Sequence, residues 1–350
     1  MTGVEVSVLI VSYNTAELTV GCLDSLREQT RNTSYEVIVV DNASTDSSAA
    51  RIRAAFPDIE VVDSGTNLGF GRAVNLAAER AKGEYLLLLN PDTVVLDDAL
   101  GALLAFARAH PEHGIYGGRT LRPDGTLDPS SCWGVPTLWS LVCFGLGLST
   151  WRKGSALFDP ESLGGWRRDS VREVGVVTGC LLLVRRSVFG ALGGFDPRYF
   201  MYGEDADLSV RARRADWRPV ITPDATVIHH VGASSARRSD KMIMVMRAKV
   251  TFVRDHFEPG ARRRSALALL TLGVAVRATL AVLTGWLQAV KTVKATKSLK
   301  AEKKLEKSVE TASGRTAPTA DAWVGVWKAR REWQPGYPPA PVTGKRPATG

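Results

Sequence analysis

Four apolar runs, each followed by residues at helical spacing, fill the first 110 positions. Residues 6–11 are apolar apart from Ser7, and Leu18, Cys22, Leu23 and Leu26 then recur at helical spacing. Residues 37–40 (Val-Ile-Val-Val) form a second run, ahead of a helix through 49–56. Residues 59–62 form a third, and Ala73, Leu76, Ala77 and Ala81 stripe the helix behind it. Residues 86–89 are four leucines, followed by Leu100, Leu103, Leu104 and Ala107. Unbroken apolar runs belong to strands covered on both faces. Their alternation with helices predicts right-handed βαβ units, an α/β fold with a Rossmann-like, mostly parallel sheet and flanking helices.

Periodicity fades beyond about residue 120. Residues 122–172 are rich in Gly, Pro, Ser and Trp and read as long loops with short elements. A strand is expected at 176–184, a helix after the acidic cluster at 204–207, short strands near Val220 and at 226–229, and a helix at 240–257. Residues 265–290 are strongly apolar around one charge, Arg277. From Lys291 the composition turns to Lys, Ala, Thr and Pro, which cannot bury a core and predicts a flexible basic tail. The expected organisation is therefore a domain at 1–235, a helical membrane-associating region at 236–290 and a largely disordered tail at 291–350.

In an open α/β sheet, ligands bind beyond the carboxyl ends of the strands. The four predicted strands end in Ser12-Tyr13-Asn14, in Asp41-Asn42-Ala43-Ser44-Thr45-Asp46, in Asn67-Leu68-Gly69-Phe70-Gly71-Arg72 and in Asn90-Pro91-Asp92-Thr93. Four polar or acidic ends on one edge point to a ligand with several polar parts. Each group also has a plain structural role open to it. Asp41 and Asp46 can cap helices, Gly69 and Gly71 can serve only the turn, and Asp92 after Pro91 can be a turn residue.

These motifs are joined further along by Gly193-Gly194-Phe195-Asp196 and by Phe200-Met201-Tyr202-Gly203-Glu204-Asp205-Ala206-Asp207-Leu208. Together they resemble the inverting family 2 glycosyltransferases of GT-A fold. Within that family the likeness is strongest to rhamnosyltransferase-like members, over about residues 5–235. The resemblance implies that Asp41 contacts the nucleotide base in a pocket lined by Ser12 and Tyr13. It implies that Asn67, Gly69, Arg72 and Asn75 lie at the nucleotide or diphosphate. Asn90-Pro91-Asp92 stands where the family has a DxD motif, leaving Asp92 as the main carboxylate for Mg²⁺ or Mn²⁺. Glu204 and Asp205 match the catalytic acidic pair, with Asp205 as base, and Gly179 lies in the floor beneath the donor sugar. His229 matches a histidine that contacts metal or diphosphate.

The chemistry needs groups of this kind. A departing nucleoside diphosphate gathers negative charge, which a divalent cation on oxygen ligands stabilises. The acceptor hydroxyl loses a proton as it attacks, so inversion needs one carboxylate on the opposite face of the sugar. A neutral imidazole is a suitable further ligand for Mn²⁺. The alternative for 204, 205 and 207 is simple acidic enrichment of a helix start, and for Cys180 it is packing.

Of the formal net charge of +9, residues 291–350 carry +8, so a basic tail follows a nearly neutral body. That body argues against a nucleic-acid partner, while the tail suits an anionic membrane surface. Residues 265–290 are long enough to span ~30 Å of hydrocarbon, but a central arginine costs ~2.5 kcal/mol or more. We expect a helix, or a hairpin bent near Gly285, lying in the interface at the cytoplasmic face, with a buried core helix as the alternative. Four scattered cysteines without a CxxC pair exclude a disulfide framework and favour a reducing compartment. No leader is read ahead of the first strand. The expected substrates are a dTDP- or UDP-linked sugar, with L-rhamnose suggested by the resemblance, and a polyprenyl-linked or other cell-envelope glycan. A sugar nucleotidyltransferase would need a Gly-rich basic loop after the first strand, which Ser12-Tyr13-Asn14-Thr15 is not. A non-enzymatic, basic-tailed binding protein is the remaining rival.

Overall fold

The computed structural model describes residues 3–230, 238–302 and 318–338, with only the backbone described at 291–302 and 318–321. The chain begins β1 (Val6–Ser12), α1 (Ala16–Gln29), β2 (Tyr35–Asp41), α2 (Ser48–Ala55), β3 (Glu60–Asp63), α3 (Phe70–Ala78), β4 (Tyr85–Leu89), β5 (Thr93–Val95) and α4 (Ala99–Ala109). It continues with β6 (Ile115–Leu121), β7 (Leu127–Asp128), β8 (Cys132–Trp133), α5 (Leu138–Gly145) and α6 (Leu148–Trp151). Then follow β9 (Arg172–Glu173), β10 (Val176–Val177), β11 (Leu181–Arg185), α7 (Arg186–Ala191), α8 (Glu204–Arg214) and β12 (Val220–His229). The chain ends in α9 (Arg238–His256), α10 (Ala261–Glu302), α11 (Pro318–Lys328) and α12 (Arg330–Trp333). It divides into two compact units, the first of Met1–Thr137, Lys153–Ser235 and Tyr337–Gly350, the second of Leu138–Arg152 and Ala236–Gly336.

The first unit is the expected mostly parallel α/β sheet. Its strand order is β3-β2-β1-β4-β11-β6-β12-β5, with β7 beside β6 and β9 beside β12. Strands β1, β2, β3 and β4 are mutually parallel, and β11 runs against both of its neighbours, β4 and β6. The period of two along a strand explains the unbroken apolar runs. Val6, Val8 and Ile10 pack with Leu23 and Leu26 of α1 and Leu100 and Leu103 of α4 on one face. Leu9 and Val11 pack with Ala73, Val74 and Ala77 of α3 and Leu208 of α8 on the other.

Two expectations about elements change. The strand at 176–184 is interrupted at positions 178–180: β10 joins a separate two-stranded sheet with β8, and only β11 enters the main sheet. Thr178 is pulled aside by two contacts, its amide to the Ser131 carbonyl at 3.0 Å and its hydroxyl to the Ser130 carbonyl at 2.8 Å. The two short strands near Val220 are one strand, β12, whose register shifts between Ile221 and Thr226. The loop-rich region holds short elements as expected, among them the helices α5 and α6.

In the second unit, α10 runs unbroken through Gly285, so the hairpin is not formed. Arg277 is buried, and its guanidinium donates to the carbonyls of Phe144 (2.6 Å) and Gly273 (3.0 Å) and to Thr150 Oγ1 (2.9 Å), over the Phe144 ring at 4.1 Å. Burial lowers its pKa to about 10. Residues 318–338, expected within a flexible tail, are folded. Trp333 is wholly buried with its indole N–H on the Val326 carbonyl at 2.8 Å, and Val326 is buried too. Tryptophans at 323, 327 and 333 supply apolar surface that the averaged composition of the tail conceals. Residues 303–317 and 339–350 of the expected tail lie outside the described residues.

Candidate active site

Adjacent parallel strands align Ser12 with Asp41, and Asp41 with Asp63, at one edge of the sheet. The Ser12 hydroxyl lies 3.2 Å from Thr15 Oγ1 and 3.1 Å from Thr19 Oγ1 in a buried hydroxyl cluster, and Tyr13 stands partly exposed beside it. Asn14 Oδ1 accepts the Thr45 amide at 2.7 Å, which ties the loop after β1 to the loop after β2. Asp41 is buried. Its Oδ2 accepts the Ser44 amide at 3.0 Å, while Oδ1 has no hydrogen-bond partner among the described residues. A buried carboxylate oxygen without a donor is costly, so this atom suits an N–H from a ligand. Asp46 takes the capping role, accepting the amides of Ser48 (3.1 Å) and Ala16 (3.4 Å).

The glycine turn is held from both sides. Asn42 donates to Asn67 Oδ1 at 3.1 Å and accepts the Leu68 amide at 2.8 Å, and Asn67 Oδ1 also accepts the Gly69 amide at 3.0 Å. Gly69 sits at φ +78°, and a Cβ there would fall on the Phe200 carbonyl oxygen. That oxygen accepts the Phe70 amide at 2.9 Å. Only glycine meets both demands. Arg72 donates through Nε to the Pro197 carbonyl at 2.6 Å and remains exposed. Asn75 is engaged at both ends by the backbone of Phe195, at 2.8 and 2.9 Å, so its amide docks the 193–196 turn onto α3.

The acidic pair opens α8, after Gly203 at φ +90°. Asp205 Oδ2 accepts the Gly179 amide at 3.2 Å. Glu204 is buried, with Oε2 unpartnered among the described residues. Burial raises the pKa of both carboxyls, and the Asp205 charge raises Glu204 further, well above the usual glutamate range. Asp207 turns away into an ion pair with Arg211 at 2.7 Å. Gly179 itself leaves no room for a side chain, since a Cβ would meet the Phe70 ring at 2.9 Å.

The third group lies at the ends of β4, β6 and β12, which point the same way because β11 reverses between β4 and β6. The Asn90 amide donates to the Cys180 carbonyl at 3.1 Å, next to Gly179. The Asp92 carbonyl accepts the His230 amide at 2.8 Å. His229 Nε2 is 3.4 Å from Asp92 Oδ1, and Nδ1 is 2.9 Å from Asp128 Oδ2. Burial would lower the pKa of this imidazole, but Asp128 and Asp92 outweigh it and raise it to about 12. The same pairing, with hydrogen bonds from Ser130, holds Asp128 below the usual carboxylate range despite its own burial.

The structure thus gathers the sequence-derived residues into three linked groups: Ser12, Tyr13 and Asp41; Asn67, Gly69 and the 200-loop; and Asn90, Gly179, Asp205, Asp92 and His229. Sequence reasoning misses Asp128, which lies in the aperiodic stretch. The turn at Pro123-Asp124-Gly125 carries the signal that could have found it, because a hairpin there pairs β7 with β6 and sets Asp128 opposite Thr120. It misses Tyr337 as well. The Tyr337 hydroxyl donates to the Met201 carbonyl at 2.9 Å, and its ring lies edge-on to Tyr199 at 5.8 Å, just ahead of the acidic pair.

Comparisons with known proteins identify the family and the fold. The family Glycosyl transferase family 2 matches residues 7–175. The N-acetylglucosaminyl-diphospho-decaprenol L-rhamnosyltransferase of Mycobacterium tuberculosis is 35% identical over 217 residues, 57% of this chain and 68% of the relative. The rhamnosyltransferase WbbL of Escherichia coli is 28% identical over 238 residues, 64% of this chain and 83% of the relative. A solved mannosyltransferase from Pyrobaculum calidifontis, in complex with GDP-Man and Mn²⁺, shares the fold at a TM-score of 0.53 and 18% identity, covering 95% of this chain and 88% of that one. The chain is a glycosyltransferase and belongs to glycosyl transferase family 2, among its rhamnosyltransferase-like members.

Proposed function

We propose that this enzyme moves L-rhamnose, with inversion, from a nucleoside-diphosphate donor of the dTDP type to a polyprenyl-diphosphate-linked sugar. The names of its relatives from Mycobacterium tuberculosis and Escherichia coli support the sugar, and the former supports the lipid-linked acceptor. The observation that carries the reading is the meeting, at one sheet edge, of an unpartnered Asp41 oxygen, the Asp92–His229 pair and an Asp205 carboxylate held on the Gly179 amide.

The roles follow from these groups. Asp41 Oδ1 accepts an N–H of the pyrimidine, which replaces the donor it lacks. The turn at 67–71, fixed by Asn42 and by Phe200, presents backbone N–H groups and the start of α3 to the diphosphate. The donor set at Asp92 and His229, a carboxylate oxygen and an imidazole nitrogen 3.4 Å apart, would hold a divalent cation such as Mg²⁺ or Mn²⁺ once that nitrogen gives up its proton to the solvent. A cation held there would neutralise charge on the leaving diphosphate. Asp128 fixes the ring through Nδ1 and so aims Nε2. Asp205 accepts the proton of the acceptor hydroxyl as that oxygen attacks the anomeric carbon. Its raised pKa brings a carboxylate nearer to the strength a base needs at neutral pH.

The second unit supplies the membrane side of the reading. Leu280, Val282, Leu283, Trp286 and Leu287 of α10 are each at least half exposed, and no charge lies among them. Arg277 is already satisfied inside its own unit, so it adds no insertion cost to this apolar segment. We take it to rest in an anionic membrane surface at the cytoplasmic face, as a peripheral anchor.

The test is donor turnover by purified protein with dTDP-rhamnose and a prenyl-diphosphate-linked N-acetylglucosamine. Asp205→Asn is expected to bind nucleotide with unchanged affinity and to lose at least ~10²-fold in turnover. Wild-type turnover in that variant defeats the assignment of the base, and absence of transfer from any 6-deoxyhexose donor by the wild type defeats that of the sugar.

A further inference from the structure

His110, Glu112 and His113 stand in the turn between α4 and β6, and this cluster takes no part in the transferase reading. Three of their ligand atoms lie within 4.8 Å of one another. Glu112 Oε1 is 3.5 Å from His110 Nδ1 and 3.6 Å from His113 Nε2. Ligands bound tetrahedrally at ~2.1 Å are ~3.4 Å apart, so both spacings already match those around a zinc ion.

The turn is built to hold this spacing. His113 Nδ1 donates to the Arg218 carbonyl at 2.9 Å, which fixes the tautomer and leaves the lone pair on Nε2, the atom facing Glu112. A backbone carbonyl on the second nitrogen is the usual support of a metal-binding histidine. The His110 ring lies tilted by 39° against Phe106 with centroids 4.6 Å apart, and its carbonyl accepts the Tyr116 hydroxyl at 2.8 Å. Gly114, at φ +72°, lets the chain turn directly against Trp217, whose ring atoms a Cβ would meet at 2.7 Å. The His113 ring is thus held by the backbone, and His110 by its carbonyl and by the Phe106 ring.

The geometry points to a zinc-binding site at His110, Glu112 and His113, separate from the cation site at Asp92. Two imidazoles and one carboxylate suit a borderline-soft ion, whereas Mg²⁺ prefers oxygen and water. The fourth position faces solvent. Ile115, where β6 begins, is in register with Val184, Val184 with Leu86, and Leu86 with Ser7, toward the start of β1. The site thus lies at the opposite end of the sheet from Asp41 and Asp92. Zinc there would brace the α4–β6 turn and stabilise the folded chain without touching donor or acceptor.

Titration calorimetry of ZnCl₂ into untagged, metal-free, full-length protein, with Mg²⁺ in excess, tests the site. Wild type is expected to take up one Zn²⁺ more than the His110→Ala/His113→Ala double variant, whatever the Asp92 site takes in both. Their transfer rates in Mg²⁺ are expected to be equal. Glu112→Gln keeps both imidazoles and is expected to weaken the additional binding by ~10-fold or more. This variant decides the matter against wild type if the double variant does not fold. Equal zinc stoichiometry and affinity in wild type and variants overturns the proposal, as does the lack of any additional uptake by wild type.

Discussion

His229 Nδ1 lies 2.9 Å from Asp128 Oδ2, across 101 positions of sequence. The imidazole has a carboxylate on each nitrogen, and only the Asp92 side belongs to the proposed cation site. Removing the Asp128 charge frees the ring to turn. Asp128→Asn is expected to weaken Mn²⁺ binding in the presence of dTDP by ~10- to 100-fold. Paramagnetic resonance of free Mn²⁺ measures it without any turnover.

Glu204 is a stability cost at neutral pH. Its pKa is raised in the fold, so the folded chain holds that proton more tightly than the unfolded chain does. The sign follows directly: stability is greatest below the unfolded value near 4.5 and falls as pH rises through the folded value. Glu204→Gln should therefore raise stability at pH 7 by about 1–3 kcal/mol and flatten Tm against pH. A slope remains from Asp205, whose pKa is raised too. Scanning calorimetry across the acid-to-neutral range reads both effects, and turnover should fall.

Gly69→Ala brings a methyl group onto the Phe200 carbonyl at a backbone angle that disfavours any side chain. A loss of ~2 kcal/mol or more is expected in chemical denaturation, along with weaker nucleotide binding. Gly65, also at positive φ but with nothing within 4 Å, serves as the control. Gly65→Ala should cost only ~1 kcal/mol.

Leu283→Ser combined with Trp286→Ser removes two exposed apolar groups from α10. Sedimentation with phosphatidylglycerol vesicles is expected to show at least ~10-fold weaker binding. Tm should stay unchanged, because neither side chain supports the fold.

Most of the catalytic half is legible because each strand is buried on both faces and ends in a polar motif. Periodicity alone finds β1 to β4, and position beyond their ends picks out Asp41 and Asp92. What escapes is carried by contacts that have no period. Asp128 reaches the site on a strand only two residues long, and Thr178 breaks an apolar run by bonding sideways to Ser130 and Ser131. Asn75 lies in a motif that suggests ligand contact, yet its amide is occupied by Phe195. Trp333 is hidden by averaging, since one large ring outweighs many lysines once it finds a cavity. Arg277 looks like a barrier to lipid because a sequence cannot show that Phe144 and Thr150 enclose it.

The bond from the Phe70 amide to the Phe200 carbonyl, together with Arg72 on Pro197 and Asn75 on Phe195, couples the glycine turn and α3 to the stretch that precedes the acidic pair. In the proposed reaction the first would cradle the leaving group, and the second leads into the carboxylate that would take the proton of the attacking hydroxyl. With the two tied together, a donor that settles poorly would also misplace the groups proposed to await the acceptor. On the proposed reading, fidelity toward the first substrate is written into reactivity toward the second.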